Sequence, residues 1–130
     1  MPLVLHVLAG EFAIARLAAD APLPDWAHSP VFSATTRTAG ELSILCPAAQ
    51  IPADVKHERG WRLLKLRGPF AFTETGILAA VLAPLAAERI GILALSTFDT
   101  DYVLVKTAEL DAAVRTLRDA GHTIERVGEA

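Results

Sequence analysis

The alternation of hydrophobic and polar positions is clearest in the second half of the chain. Four short segments there are rich in apolar or β-branched residues, which predicts strands. Between them, apolar residues follow helical spacing over 76–89 and 108–120. The predicted strands cover residues 61–67, 90–97, 101–106 and 122–127. The resulting order, β-α-β-β-α-β, predicts an α+β unit of the ferredoxin-like type.

Capping and breaking residues refine the two helices. Thr73 or Thr75 is suited to cap the first helix, because a hydroxyl there accepts a hydrogen bond from a free backbone N–H. Pro84 lies inside that helix and removes one of its hydrogen bonds, which predicts a kink or a restart. Gly121 is placed to end the second helix in a left-handed conformation.

The first half of the chain is rich in strands and poor in helix. Two strands joined at Gly10 are followed by a hairpin that turns at Ala39-Gly40. A short helical turn is expected over 54–58. The predicted strands cover residues 3–8, 12–17, 32–36 and 42–46.

Composition narrows the class of protein. The chain has 130 residues, of which 52% are hydrophobic, enough for a packed core and too many for a disordered chain. Its net charge of −3 argues against a nucleic-acid binder. The single cysteine, Cys46, cannot form a disulfide within the chain and is expected to be buried. The N-terminus carries no basic residue before its apolar run, and Glu88 and Arg89 interrupt the longest apolar stretch. A cytoplasmic protein that does not enter a membrane is therefore expected.

No pattern in the chain predicts catalysis, a metal site or a cofactor. The four histidines are not spaced as metal ligands, and no phosphate-binding glycine loop is present. Both faces of the strands over 90–97 and 101–106 are apolar, and two helices can cover only one of them. The first half of the chain, or a second copy of the chain, must cover the other face, so a tight tandem and a homodimer are expected.

Four segments together resemble ACT-domain proteins of the tandem-ACT type, which are similar to cytosolic arginine sensors and to the ACT pairs of aspartate kinases. They are Leu-His-Val-Leu (5–8), Glu-Leu-Ser-Ile (41–44), Gly-Ile-Leu-Ala (76–79) and Ser-Thr-Phe-Asp-Thr-Asp-Tyr-Val-Leu-Val (96–105). The resemblance implies tandem ferredoxin-like units with antiparallel sheets and helices on one face. It implies a degenerate ACT subdomain at 1–58 and a complete one at 59–130. It also implies a non-catalytic regulatory protein that binds a small molecule, usually an amino acid, between ACT units.

The first candidate site joins a helix start to a strand turn. Backbone N–H groups at Thr75-Gly76-Ile77 suit a carboxylate. Asp99 and Asp101 suit an ammonium or a guanidinium. The matching segments line the ligand pocket in the sensors that the chain resembles. The alternative is that these residues only cap the helix and shape a tight turn. The candidate ligand-binding residues here are Thr75, Gly76, Ile77, Ser96, Thr97, Phe98, Asp99, Thr100 and Asp101.

A second candidate cluster lies in the first half of the chain, where Ser33, Thr36 and Ser43 can present hydroxyl groups to a ligand. The alternative is a solvated hairpin edge with cross-strand hydrogen bonds. Two functions therefore stay open. One is an amino-acid sensor, and the other is a protein–protein interaction module with a vestigial pocket and an unidentified protein partner.

Overall fold

The computed structural model describes residues 2–126. The chain divides into two compact units, one formed by residues 1–9 and 62–130 and the other by residues 10–61. We call the first the helical unit and the second the strand unit. One long strand, β5 (His57–Leu66), belongs to both, because the unit boundary falls within it.

The helical unit contains five strands and both α-helices. Its strands are β1 (Val4–Val7), the second half of β5, β6 (Ile92–Ser96), β7 (Asp101–Lys106) and β8 (Thr123–Glu125). Its helices are α1 (Ile77–Ala87) and α2 (Leu110–Asp119), the latter preceded by a 3-10 turn at Thr107–Glu109. Along 57–126 the order β5-α1-β6-β7-α2-β8 is the predicted β-α-β-β-α-β arrangement, so the α+β ferredoxin-like fold is confirmed. The last predicted strand extended to Val127, which lies outside the described residues.

The N-terminal strand is inserted into this arrangement. β1 pairs antiparallel with β5 and parallel with β8, which gives the order β6-β7-β5-β1-β8. The expected division of the chain at 58/59 assigned β1 to the first subdomain. The compact units divide the chain differently, because the strand partners of β1 are β5 and β8.

The core of the helical unit lies between one face of these strands and the two helices. β1, β5 and β7 each contribute alternate apolar residues, and the helices add one stripe each, as the sequence spacing predicted. The residues of this core cluster with no exposed surface are Leu5, Val7, Leu64, Leu66, Val81, Leu85, Val103, Val105, Ala113 and Leu117.

Helix α1 continues through Pro84, so the predicted restart is wrong. A proline at this position leaves the carbonyl of Ala80, four residues earlier, without its usual N–H donor. The ring of His122 replaces that donor, with Nε2 2.9 Å from the Ala80 oxygen. Nδ1 of the same ring accepts a hydrogen bond from the Leu3 N–H at 3.1 Å. His122 therefore carries its proton on Nε2, and it connects α1 to the start of β1.

The predicted cap at the start of α1 is wrong, and the predicted end of α2 is confirmed. No threonine caps α1: its N-cap is Gly76, in a left-handed conformation with φ +77° and without a side-chain hydrogen bond. Thr73 and Thr75 precede this residue and do not donate or accept a cap bond. Gly121 follows α2 with φ +97°, as predicted.

The strand unit is an antiparallel arrangement in the order β3-β4-β2-β5. Its strands are β2 (Phe12–Leu17), β3 (Ala34–Arg37) and β4 (Leu42–Pro47), with the first half of β5. Two 3-10 turns, Asp25–Ala27 and Ala48–Gln50, complete it. The helical turn predicted over 54–58 is wrong, because β5 already begins at His57 to pair with Ala15 of β2.

Cys46 lies in β4 and is fully buried, as predicted. Burial raises the pKa of its thiol above the ordinary value. The thiol is therefore protonated at neutral pH and unsuited to act as a nucleophile.

Candidate functional site

A cleft of about 360 Å³ opens in the helical unit where three chain segments meet. The segments are the loop from β5 to α1, the first turn of α1, and the turn from β6 to β7 with its adjoining strand ends. Pockets for small ligands typically start at about this volume. The residues that line the cleft are Phe70, Ala71, Phe72, Glu74, Gly76, Ile77, Leu78, Ala79, Ser96, Thr97, Phe98, Asp99, Thr100 and Asp101.

Close backbone contact holds the β5–α1 loop against the β6–β7 turn. The Phe70 N–H donates to the Asp99 carbonyl at 2.9 Å. A Cβ at Gly68 would lie 2.8 Å from the same Asp99 oxygen and 3.1 Å from the Thr100 Cβ. Only glycine allows this approach without displacing backbone. The hydroxyl of Thr100 donates to the Leu66 carbonyl at 2.7 Å and anchors the turn to β5.

The β6–β7 turn is shaped by its own hydroxyl groups. The Thr97 N–H donates to the Thr100 carbonyl at 2.8 Å, and the Thr97 hydroxyl lies 3.3 Å from the Thr100 nitrogen. Ser96 donates its hydroxyl proton to the Asp101 carboxylate. Thr100 thus has the turn-forming role that the sequence offered as the alternative, and Thr97 is its hydrogen-bond partner in the turn. Asp99 has no hydrogen bond or ion pair from its carboxylate to any of residues 2–126.

The first turn of α1 forms one wall of the cleft. The N–H groups of a first helical turn have no acceptor within their own helix, and the helix dipole gives this end a partial positive charge. Gly76, Ile77 and Leu78 all line the cleft at this point. The Ile77 side chain is itself buried in the core, so its backbone is the part available here.

Carboxylates give the rest of the lining a negative charge. Glu74, Asp99 and Asp101 line the cleft, and no Lys, Arg or His is among the lining residues. Glu74 closes its own loop by accepting the Ala71 N–H at 2.9 Å. The cleft therefore combines a wall that favours an anion with an excess of groups that favour a cation.

Two exposed aromatic rings stand at this cleft. Phe72, from the β5–α1 loop, and Phe98, from the β6–β7 turn, contact each other edge to face with their centroids 5.1 Å apart. They are 77% and 80% exposed. Large aromatic side chains rarely stay this exposed unless a ligand or a partner covers them.

The cleft brings together most of the candidate residues and leaves four out. Gly76, Ile77 and all residues from Ser96 to Asp101 line it, whereas Thr75 does not. Ser33, Thr36 and Ser43 lie in the strand unit, where Thr36 and Ser43 are cross-strand neighbours on β3 and β4. Ser43 donates to the Glu41 carboxylate. Thr36 and Ser43 thus lie in the hairpin of their alternative interpretation, and Ser33 lies directly before β3.

The loop before α1 is the part of the cleft that sequence reasoning missed. Phe70, Phe72 and Glu74 line it, with Ala71 between them. The available signal was two aromatic residues and an acid between Gly68-Pro69 and the helix. Loops that carry large apolar residues without strand or helix periodicity are often functional.

Two features are absent from residues 2–126. No group of three or more His, Cys, Asp or Glu side chains is arranged to hold a metal ion. Neither helix has the length and apolar character that crossing a membrane requires.

Two known family models match the chain, one in each half. A model of the ACT domain matches residues 56–119, and a model described as an N-terminal domain matches residues 10–54. A crystal structure of a protein from Agrobacterium tumefaciens is 42% identical, covers 99% of this chain and 96% of its own, and superposes with a TM-score of 0.94. Residues 56–119 of the chain belong to the ACT-domain family. All residues that line the cleft fall within the matched ACT domain.

More distant relatives carry functional names. The cytosolic arginine sensor for mTORC1 subunit 1 of Bos taurus is 35% identical over 65 residues, 46% of this chain. This chain spans only 20% of that sensor's length. The regulatory subunit of aspartate kinase from Thermus flavus has the same fold, with a TM-score of 0.62 at 9% identity, covering 92% of this chain and 97% of its own.

Proposed function

We propose that this ACT-domain protein is a non-catalytic sensor that binds a free amino acid in the acidic cleft. One observation carries the proposal: the start of α1 and the carboxylates of the β6–β7 turn line the same cleft. A zwitterion needs hydrogen-bond donors for its carboxylate and acceptors for its ammonium, and this lining offers both.

The two ends of the ligand have different partners in this proposal. The ligand carboxylate accepts hydrogen bonds from the N–H groups at Ile77 and Leu78. Its ammonium, or a cationic side chain, lies against Asp99 and Asp101. Gly76 leaves the helix start open, since no atom lies within 4 Å of the position its Cβ would occupy.

A basic amino acid suits the lining best. Glu74, Asp99 and Asp101 provide more negative charge than one ammonium needs, and no basic side chain lines the cleft to offset it. The exposed rings of Phe72 and Phe98 add faces on which a cation can rest. The named function of the Bos taurus relative, an arginine sensor, agrees with this choice.

Regulation by such a ligand requires two states with different affinities for it. We propose that the sensor acts in the cytoplasm as a homodimer in which the ligand lies between ACT units, and that the ligated state binds or releases a protein partner. We also propose that the strand unit, residues 10–61, is the degenerate subdomain that was expected at 1–58, and that the helical unit is the complete ACT subdomain that was expected at 59–130. Sedimentation velocity with and without ligand tests the dimer.

A thermal-shift screen against the twenty amino acids tests the ligand. A ligand at about 100 times its Kd adds roughly 2.7 kcal/mol of stability, which moves the melting temperature of a domain this size by several degrees. We expect a selective shift with a basic amino acid. Equal responses to all twenty, or none, would contradict the proposed function.

The variant Asp101→Asn tests whether the ligand binds in the acidic cleft. The substitution keeps an acceptor for Ser96 and removes one charge, so we expect the ligand to bind about tenfold more weakly or worse, with little loss of stability. Asp20→Asn, at an exposed position in the strand unit, is the matched control and leaves affinity unchanged. Equal affinities for both variants would place the ligand elsewhere.

An interaction module with a vestigial pocket is the second candidate, and the exposed Phe72–Phe98 pair favours it. In that case a protein partner covers the two rings. Association with a partner that persists in Asp101→Asn without added amino acid, and is lost in Phe72→Ser with Phe98→Ser, would support the module over the sensor.

A further inference from the structure

A second groove, of about 340 Å³, lies between α2 and the end of β8. Three of its six lining residues are arginines: Arg115 and Arg118 from α2, and Arg126 directly after β8. Val114 and two aspartates, Asp111 and Asp119, complete the lining. All of these residues belong to the helical unit, and none lines the acidic cleft.

Two of the arginines span the groove in opposite directions. Arg118, in the last turn of α2, donates from Nη2 to the Ile124 carbonyl on β8 at 2.8 Å. Arg126, after β8, donates from Nη1 to the Asp111 carboxylate in the first turn of α2 at 3.2 Å. These contacts fix both guanidinium groups along the groove. The Arg118 bond uses one of the five N–H donors that a guanidinium carries.

The third arginine, Arg115, has no polar partner in the described part of the chain. Arg115 lies one helical turn from both Asp111 and Arg118, is exposed, and makes no hydrogen bond or ion pair with residues 2–126. The groove thus holds three positive charges against two carboxylates, and Asp111 is already paired with Arg126. This is a local positive excess on a chain whose net charge is −3.

A neighbouring arginine is affected by the same positive charge. Arg62 on β5 has its pKa lowered by burial and, second, by the positive charge of Arg126. An anion bound in the groove would offset that repulsion and so lower the electrostatic energy of both guanidinium groups.

We propose that this groove binds a phosphate-bearing small molecule. Guanidinium groups recognise phosphate through paired, charge-assisted hydrogen bonds, and three of them lining one hollow match a multiply charged phosphate better than a single carboxylate. The groove has the volume of a small-ligand site and draws its charges from two elements. An extended acidic peptide would instead fit a linear basic stripe.

Inorganic pyrophosphate is the probe, titrated by calorimetry at constant ionic strength. We expect saturable binding to the full chain and at least tenfold weaker binding to Arg115→Gln. Since Arg115 makes no hydrogen bond or ion pair within residues 2–126, this variant is expected to fold normally. Arg67→Gln removes one exposed positive charge elsewhere in the helical unit and is expected to keep full affinity.

Three results would overturn the proposal. They are no saturable binding of pyrophosphate, equal affinity in Arg115→Gln, and an equal loss in Arg67→Gln, which would indicate general charge attraction. Binding of a polyglutamate peptide without binding of pyrophosphate would assign the groove to an acidic polypeptide instead. The thermal shift that an amino acid causes by binding in the acidic cleft is expected to be the same in Arg115→Gln. A negative result for one site therefore leaves the proposal for the other site intact.

Discussion

Gly68 controls how closely the two loops of the acidic cleft approach. We expect Gly68→Ala to destabilise the protein by about 1–3 kcal/mol, because the new methyl group would lie 2.8 Å from the Asp99 carbonyl oxygen, and backbone would have to move. The Phe70–Asp99 hydrogen bond adjoins this contact and would be stretched. Urea denaturation of the variant measures the loss.

Gly91→Ala is the matched control for this substitution. Gly91 also lies in a loop of the helical unit, directly before a strand, but nothing lies within 4 Å of the position of its Cβ. Its φ is not in the left-handed region, so alanine is expected to be neutral or slightly stabilising. Equal effects at the two positions would mean that the close approach at Gly68 does not matter.

Burial of the Cys46 thiol predicts how fast it reacts and how stability depends on pH. Because burial raises the pKa of Cys46, a disulfide reagent is expected to modify it slowly at pH 8 in the native protein and rapidly in denaturant. The folded state holds the thiol proton more tightly than the unfolded state. Stability is therefore expected to fall as pH rises above the unfolded pKa, near about 8.5, and to fall less in Cys46→Ala. Rapid native modification, or identical pH profiles, would contradict the burial argument.

Residue types, together with the resemblance to the ACT family, located most of the cleft and could not complete it. Asp99 and Asp101 were found because acidic residues at a strand turn suit a cation, and both line the cleft. Phe72 and Glu74 were missed because a loop has no periodicity that says which side chains face a cavity. Thr75 was included for its backbone N–H at the expected helix start, but Gly76 is the N-cap of α1 and Thr75 does not line the cleft.

In helix α1, a backbone hydrogen bond that Pro84 cannot make is replaced by a side chain far along the chain. Pro84 deprives the Ala80 carbonyl of its donor, and His122 supplies one from the start of β8. The sequence predicted a kink or a restart, because the helix alone cannot replace the lost hydrogen bond. The partner is 42 residues from Ala80, a distance at which no local pattern applies.

A double-mutant cycle tests this repair. His122→Phe leaves the Leu3 N–H and the Ala80 carbonyl without their partners, and we expect a loss of about 2 kcal/mol or more. In a Pro84→Ala background the backbone gains an N–H at position 84, which can reach the Ala80 carbonyl. The same His122→Phe change is then expected to cost about 1 kcal/mol less. Strict additivity of the two substitutions in urea denaturation would refute the repair.

At the scale of the whole molecule, the order of secondary-structure elements was predictable and one strand pairing was not. The β-α-β-β-α-β order follows from short-range periodicity and turn residues, and the structure has it. β1 was correctly identified as a strand, but its partners, β5 and β8, lie about 60 and about 120 residues away. Alternation of apolar residues shows that a strand needs a buried face without showing which strands it joins.

This pairing makes β1 part of the ACT fold, although the ACT-domain match covers only 56–119. Without β1, β8 loses its strand partner and the core loses Leu5 and Val7, both fully buried. Truncating one buried leucine to alanine costs about 2–5 kcal/mol, a large part of the stability of a small domain. Leu5→Ala in the full chain is therefore expected to destabilise strongly in urea denaturation. Val4→Ala, at a half-buried position of the same strand, is expected to have a much smaller effect.

The chain 56–126 on its own gives the sharper test. It contains every element of the ferredoxin-like order, so a self-sufficient ACT domain would unfold cooperatively on heating. We expect it instead to lack a cooperative transition by circular dichroism, because β5 and β8 are left without the strand that joins them. Addition of a peptide of residues 1–9 in excess is expected to restore the transition, and the same peptide with Leu5→Ala to restore it poorly. A cooperative transition of the short chain at the melting temperature of the full protein would show that β1 is dispensable.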